Sequence, residues 1–218
     1  MYTLVFDTSA GGTIIGLYDD CLMLDKIEKI MEFGQAEELA VDVDKMLKKQ
    51  QLDFQNVELL GVCVGPGSFT GVRAGLAFAR GLAFASPNLK ITGVNAFEVY
   101  ARMLKESDRA NYNAVVIETK REDFYFQLFD KELKKVCEPT ALTREKILQQ
   151  LKNHQVSFIG DGVERLLSGA TGLQIKQVDL LEIIDVKALF EATYQKYLAK
   201  TLDFPKPLYI RGADACVK

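Results

Sequence analysis

Histidine is almost missing from this chain of 218 residues, with His154 the single example. A hydrolase built on a nucleophile and an imidazole base, or a metal held between paired imidazoles, has little to draw on, and no motif surrounds His154 at the end of its predicted helix. The four cysteines, Cys21, Cys63, Cys137 and Cys216, are far apart and make no C-x-x-C pair. They read as small hydrophobes or surface thiols, and a reducing compartment suits them. Long apolar runs are lacking as well, since the best candidate, 72–85, is interrupted by Arg73 and Arg80, which excludes a membrane span there. The opening Tyr2-Thr3-Leu4-Val5-Phe6-Asp7 has neither the basic start nor the length of a secretion signal. These points together predict a soluble, cytoplasmic protein without a membrane partner. Clustered basic charge is also absent: residues 1–105 carry 10 Lys/Arg against 13 Asp/Glu, and the remainder 17 against 17. That balance disfavours direct, high-affinity binding of nucleic acid.

What is present is enough apolar residue, 48%, to bury a real core in one large or two small domains. Residues 2–6, 13–18 and 21–29 read as a three-stranded meander turning at Asp19-Asp20. Apolar residues Ala36, Leu39, Ala40, Val43, Met46 and Leu47 follow the 3.6-residue period of an amphipathic helix over 35–49. A strand at 59–64, a small-residue helix at 72–86 and a short strand at 90–93 come next. Asn95 and Glu98 then have the spacing of a capping box for a helix from Ala96 to about Lys105. The polar stretch 106–113 marks a boundary, after which 114–117 and 124–129 restart with strands around the charged turn 120–123. A helix at 143–152, a strand at 156–159, the turn Gly160-Asp161-Gly162, a helix from Val163 and a helix capped by Asp185 complete the second half. The expected architecture is α/β, two similar units of about 1–105 and 106–218 with mixed sheets. The helix over 185–200 is an element that can return to the first unit, and the C-terminal segment forms an extended tail.

The stretch that joins these parts is Gly65-Pro66-Gly67-Ser68-Phe69-Thr70-Gly71-Val72-Arg73. It is a strand-to-helix turn whose glycines allow positive φ and close backbone approach, with Ser68 or Thr70 positioned to cap the helix. Free N–H groups at such a helix start, with Arg73 beside them, suit an anion. The competing reading is a turn that serves packing and a partner surface, because none of its residues is a nucleophile with a base beside it. Beyond the turn, Gly71, Gly75, Ala79 and Ala83 recur every four residues. This makes a ridge nearly free of side chains, on which either the chain's own sheet or another helix can lie closely.

The elbow with Ala74-Gly75-Leu76-Ala77, the opening Leu4-Val5-Phe6-Asp7-Thr8-Ser9, the segment Gly93-Val94-Asn95-Ala96-Phe97 and the C-terminal Pro207-Leu208-Tyr209-Ile210-Arg211 together resemble the TsaB (YeaZ) family across nearly the whole chain. The resemblance implies an actin-like ATPase (ribonuclease H-like) fold. It also implies a non-catalytic role beside TsaD, the transferase that builds threonylcarbamoyladenosine at position 37 of tRNAs reading codons that begin with A. The implied partners are TsaD in a heterodimer, the ATPase TsaE on that heterodimer, tRNA only through the complex, and a second copy of the chain when TsaD is absent. The implied docking elements are the two helices at 35–49 and 69–86, and the residues expected at the interface are Leu39, Val43, Met46, Phe69, Gly71, Arg73, Gly75, Leu76, Ala79 and Ala83.

Departures from the family pattern bear on chemistry. The His-x-x-x-His pair of TsaD-type proteins would fall on Ala96 and Tyr100, so no metal is expected. The first phosphate loop of actin-like ATPases, Asp-x-Gly-Thr, reads Asp7-Thr8-Ser9 with Ser9 in the glycine position. Thr8, Ser9, Gly160, Asp161 and Gly162 are then only weak nucleotide contacts, and no cofactor is expected. Gln35-Ala36 stands where the family carries a His-Ser or His-Thr pair, and Glu118 to Tyr125 mostly retains the charge of a family segment without its glycine. An autonomous actin-like ATPase or kinase, or a peptidase-like enzyme, is the alternative from another class.

Overall fold

The computed structural model describes residues 1–31, 34–180 and 183–210, with the side chains of Gln35 and Ala36 left aside. Gln35, as a side chain in place of the family histidine, therefore lies outside the described residues, as do Arg211 and Cys216. The chain divides into two compact units, Met1–Val99 with Ile183–Pro207, and Tyr100–Glu182 with Leu208–Lys218. The division thus falls inside a helix, not at the polar stretch after residue 105. Ala96 N–H donates to Gly65 O at 2.8 Å, which ties the first turn of that helix to unit 1.

Unit 1 holds β1 (Tyr2–Asp7), β2 (Gly12–Asp19), β3 (Leu22–Ile30), α1 (Gln35–Lys49), β4 (Val57–Cys63), α2 (Phe69–Ala85), β5 (Lys90–Val94) and the start of α3 (Ala96–Met103). Its strands are ordered β3-β2-β1-β4-β5. The first three form the antiparallel meander, and β4 and β5 run parallel to β1. Unit 2 holds β6 (Tyr112–Glu118), β7 (Asp123–Phe129), β8 (Thr140–Thr143), α4 (Arg144–Leu151), β9 (Gln155–Ile159), α5 (Val163–Leu167) and β10 (Gln174–Asp179). Its order, β10-β9-β6-β7-β8, repeats the same pattern of an antiparallel meander flanked by parallel strands. Two such α/β units with mixed sheets are the actin-like duplication. The strands β8 and β10 have no counterpart in the sequence reading, being short or rich in polar residues. No helix among the described residues is long and apolar enough to cross a membrane.

Helix α6 (Val186–Leu198) belongs to unit 1. Asp185 caps it, accepting from Lys187 N and Ala188 N, as its position predicts. The helix lies tight against the first sheet because two strand glycines leave room. A Cβ at Gly61 would stand 2.1 Å from Thr193 Oγ1, and one at Gly16 would stand 2.4 Å from Val186 Cγ2. After α6 the chain runs as a strap along β5: Gly93 N donates to Asp203 O (3.4 Å) and Thr92 Oγ1 to Asp203 Oδ1 (3.0 Å). Lys196 Nζ bonds both Gly93 O and Asp203 Oδ1. In this way the strap covers an edge strand that would otherwise offer unpaired backbone groups.

Gly61→Ala should lower the stability of unit 1 by about 1–3 kcal/mol through overpacking, read as a lower thermal midpoint. Adding Thr193→Ala to it should recover part of the loss, since the clash is with that side chain. An unchanged midpoint for Gly61→Ala would contradict the packing described.

Candidate functional site

The elbow after β4 is built on the turn after β1. Gly65 adopts φ +88, and its peptide bond to Pro66 is cis. A Cβ at Gly67 would stand 2.3 Å from Ser9 O, and one at Gly71 would stand 1.9 Å from Thr8 O. Both obstacles are backbone, so only glycine lets the start of α2 lie this close. Ser68 N–H donates to Ser9 O at 2.7 Å, and Thr8 Oγ1 donates to Gly71 O at 2.7 Å. Ser68 is the N-cap, its side chain accepting from Gly71 N at 3.3 Å. The elbow N–H of Ser68, which an anion would seek, is thus already bonded to the chain itself. Of the two readings of the elbow, packing is the one the geometry matches.

Asp7 is fully buried, and burial pushes its carboxyl pKa up. Hydrogen bonds from Ser9 N (2.8 Å), Ser9 Oγ (2.5 Å) and Ala10 N (3.2 Å) oppose that rise. Ser9 Oγ also lies 3.5 Å from Cys63 Sγ. Burial raises that thiol pKa well above its usual value, and the Asp7 charge adds to the effect. Thr8 and Ser9, weak candidates for nucleotide contact, are both buried, and their hydroxyls are bonded within unit 1.

The residues expected at a partner interface sort by burial into two groups. Leu39, Val43, Met46, Leu76 and Ala79 are core, none more than 4% exposed, and Gly71 and Gly75 are buried too. A Cβ at Gly75 would meet Thr8 Oγ1 at 2.6 Å. The ridge 71/75/79 is therefore packed on the chain's own sheet, with Ala83 half-buried at its end. Two residues along a helix turn the direction by about 200°, so the outward face is Arg73, Ala77, Gly81 and Phe84, with Phe69 and Arg80 beside it. Phe69 is 55% exposed, and the Arg73 guanidinium carbon stands 3.5 Å from its ring centroid. Ala77, Gly81 and Phe84 are exposed positions that the sequence reading did not single out, because Gly71, Gly75, Ala79 and Ala83 make the more regular small-residue stripe. On α1 the exposed positions include Ala40, Val41 and Asp44. An apolar groove of about 220 Å³ runs between the helices, lined by Ala40, Leu47, Phe78 and Leu82 among others.

In unit 2 the turn Gly160-Asp161-Gly162 repeats the elbow logic. Gly160 sits at φ +126, with a Cβ there only 2.2 Å from Val116 O. Gly162 N donates to Val116 O at 3.1 Å. Asp161 Oδ1 accepts from Glu118 N at 2.8 Å. Burial raises its pKa to about 6, helped by the Glu118 charge. Burial acts most strongly on Glu118, but the two-pronged bond from Arg165 (2.7 and 2.7 Å), the Arg165 charge and the backbone N–H groups of Lys120 and Thr119 together outweigh it and lower its pKa. Arg165 in turn lies over Phe124 at 3.8 Å. All three weak candidates here fasten α5 to β6. Ala96 and Tyr100, where a TsaD-type imidazole pair would fall, are buried side chains without imidazole. His154 is exposed and stands edge-on to Tyr112. Among the described residues no group of three potential ligands is placed to hold a metal ion.

Comparison with known proteins follows the fold closely. A family model described as "TsaD: tRNA N6-adenosine threonylcarbamoyltransferase" matches residues 34–206. The tRNA threonylcarbamoyladenosine biosynthesis protein TsaB of Haemophilus influenzae is 29% identical over 192 residues, covering 78% of this chain and 77% of that protein. Among solved structures, YeaZ from Pseudomonas aeruginosa superposes with a TM-score of 0.82 at 18% identity, over 95% of this chain and 99% of its own. A second structure, described as having similarity to peptidase YEAZ from Pseudomonas aeruginosa, gives 0.80 at 18% identity, over 96% and 99%. At that identity the two structures speak for the fold.

The buried carboxyl of Asp161 makes a pH prediction. Its pKa is raised from 3.8 to about 6 in the fold, so its contribution to stability is full below about pH 4 and is lost as pH rises through 6. Asp161→Asn keeps an acceptor for Glu118 N without the charge. It should be more stable than the parent by about 2 kcal/mol at pH 7–8, with the gap closing by about pH 4. A gap that is constant with pH, followed by denaturation at several pH values, would contradict the assignment.

Proposed function

We propose that this chain, which belongs to the family described as TsaD: tRNA N6-adenosine threonylcarbamoyltransferase and is similar to TsaB (YeaZ) proteins, is the non-catalytic, TsaB-type subunit that docks on TsaD in threonylcarbamoyladenosine synthesis. Family membership implies a part in that biosynthesis. The finer role rests on Gly81. A glycine inside a helix costs about 1 kcal/mol relative to alanine, and a structural need usually accounts for it. Gly71 and Gly75 have that need, in the Thr8 backbone and side chain. Gly81 has none within the fold, since a Cβ there would meet nothing within 4 Å. A partner helix approaching the outer face of α2 supplies the reason.

The docking face in this reading is Phe69, Arg73, Ala77, Gly81 and Phe84 of α2 with Ala40 and Asp44 of α1, in place of the buried ridge expected from sequence. The subunit need only bind the active conformer of TsaD better than the inactive one. A differential affinity of a few kcal/mol shifts a modest preference. TsaD then transfers threonylcarbamoyl from its adenylate to the adenosine N6, TsaE binds across the joint and uses ATP to reset the complex, and tRNA meets this chain only there. The same face self-pairs when TsaD is absent, and the complex works in the cytoplasm. Two observations support a non-catalytic role: the missing imidazole pair at Ala96 and Tyr100, and the internal bonding of Asp7, Thr8 and Ser9.

Gly81→Leu should separate fold from docking. The isolated chain should keep or gain stability, by about 0.5–1 kcal/mol, while association with TsaD falls by about tenfold or more. Equal stability and unchanged co-elution would remove the basis for the face. In a reconstitution with TsaD, TsaE and the adenylate-forming enzyme, omission of this chain should abolish or sharply reduce product. Full activity without it would overturn the role. ATP hydrolysis by the chain alone, abolished by Asp7→Ala, would favour the autonomous ATPase.

A further inference from the structure

The C-terminal end of α2 and the strap beside β5 carry features that a helix-on-helix contact leaves unexplained. Phe84 is 91% exposed and Phe204 of the strap is 54% exposed. Arg80 connects them. Its Nη2 donates to Pro205 O at 2.8 Å, its guanidinium carbon stands 5.5 Å from the Phe204 ring centroid, and it precedes Phe84 by one helical turn. The strap is held in place by Asp203, which Thr92 and Lys196 both engage, and by Pro205, buried over Gly93. One phenyl ring, Phe204, therefore stands near the guanidinium of Arg80, and a second, Phe84, is exposed one helical turn further along the same helix as Arg80.

Charge narrows what this patch can take. Helix α2 carries Arg73 and Arg80 and no acidic residue over its 17 positions. The nearest strap carboxylate, Asp203, is engaged by Lys196 and Thr92, and Lys206 is exposed next to Pro205. Aromatic rings and arginines are the usual anchors of protein interfaces. Stacking on RNA would use the same rings, but it calls for more cations than Arg80 and Lys206, and residues 1–105, which supply Arg80, hold 13 Asp/Glu against 10 Lys/Arg.

We propose that Arg80, Phe84 and Phe204 form a second anchor for the same transferase partner, receiving an apolar side chain of that partner flanked by carboxylates. The inference rests on the docking reading of the α1–α2 face, which it extends from the helix onto the C-terminal strap. The strap thereby becomes part of the interface.

The test is titration of the full-length chain against the TsaD-type transferase of the same organism. Phe84→Ala and Phe204→Ala should each weaken binding by about tenfold, with little change in thermal midpoint for the highly exposed Phe84. Arg80→Gln should flatten the salt dependence of binding. Absence of binding by the unmodified chain would end both this proposal and the docking reading. Binding by the unmodified chain that both phenylalanine variants retain within about twofold would overturn the second anchor alone. Unchanged affinity for the transferase with reduced retention of tRNA by the complex would reassign the patch to RNA.

Discussion

The arrangement of unit 1 depends on one close approach, that of α2 to the turn after β1. The carbonyl oxygens of Thr8 and Ser9 occupy the space that side chains at residues 71 and 67 would need. Backbone cannot swing aside as a flexible side chain can, so the approach requires glycine at both positions. Two hydrogen bonds, Ser68 N to Ser9 O and Thr8 Oγ1 to Gly71 O, fix the register once the helix is that close. Asp7 holds the turn from below through Ser9 and Ala10. Which residues of α2 point out is decided by this contact and not by α2 itself.

The opposite face of the same sheet uses the same device. Gly16 and Gly61 let α6 settle against β2 and β4, where Val186 and Thr193 fill the missing side chains' space. Four glycines on two sheet faces thus have an internal cause, a backbone or side-chain atom well inside contact distance. Gly81 stands out by contrast, being exposed, in mid-helix, and without such a neighbour. Its contrast with Gly71 and Gly75 on one helix is a stronger argument than any count of small residues, because helix propensity and sequence context are nearly the same for all three.

The layers of the fold were legible in the sequence wherever one face is apolar and the other polar. Helix α1 follows its 3.6-residue period, and the caps at Asn95 and Asp185 form as their spacing predicts. The facing of α2 was not legible. Arg73 and Arg80 mark one side of it, but the regular small stripe 71/75/79/83 reads equally as a packing face or a partner face, and the choice lies with Thr8, 63 residues from Gly71 in sequence. The same limit hid the role of Asp161. Its turn was evident from the flanking glycines, while its partner, Glu118 N, is 43 residues distant. Strands β8 and β10 escaped for a simpler reason: each is an edge strand with partly exposed, polar positions that give no alternation to read.

The duplication sets one turn before two different helices. In both units the strand that joins the sheet parallel to the first ends in a glycine turn packed on the end of that first strand. The elbow meets Thr8 and Ser9 after β1, and Gly160 to Gly162 meets Val116 and Glu118 at the end of β6. In unit 2 the contact is sealed by a buried carboxyl and an arginine pair, and the helix it launches, α5, ends after 5 residues. In unit 1 it is sealed by backbone and hydroxyl groups, and the helix runs for 17. The longer helix runs from its contact with Thr8 at the start to the exposed Phe84 near its far end. The same turn, repeated, therefore launches a short helix in one unit and, in the other, a long helix with an exposed outer side.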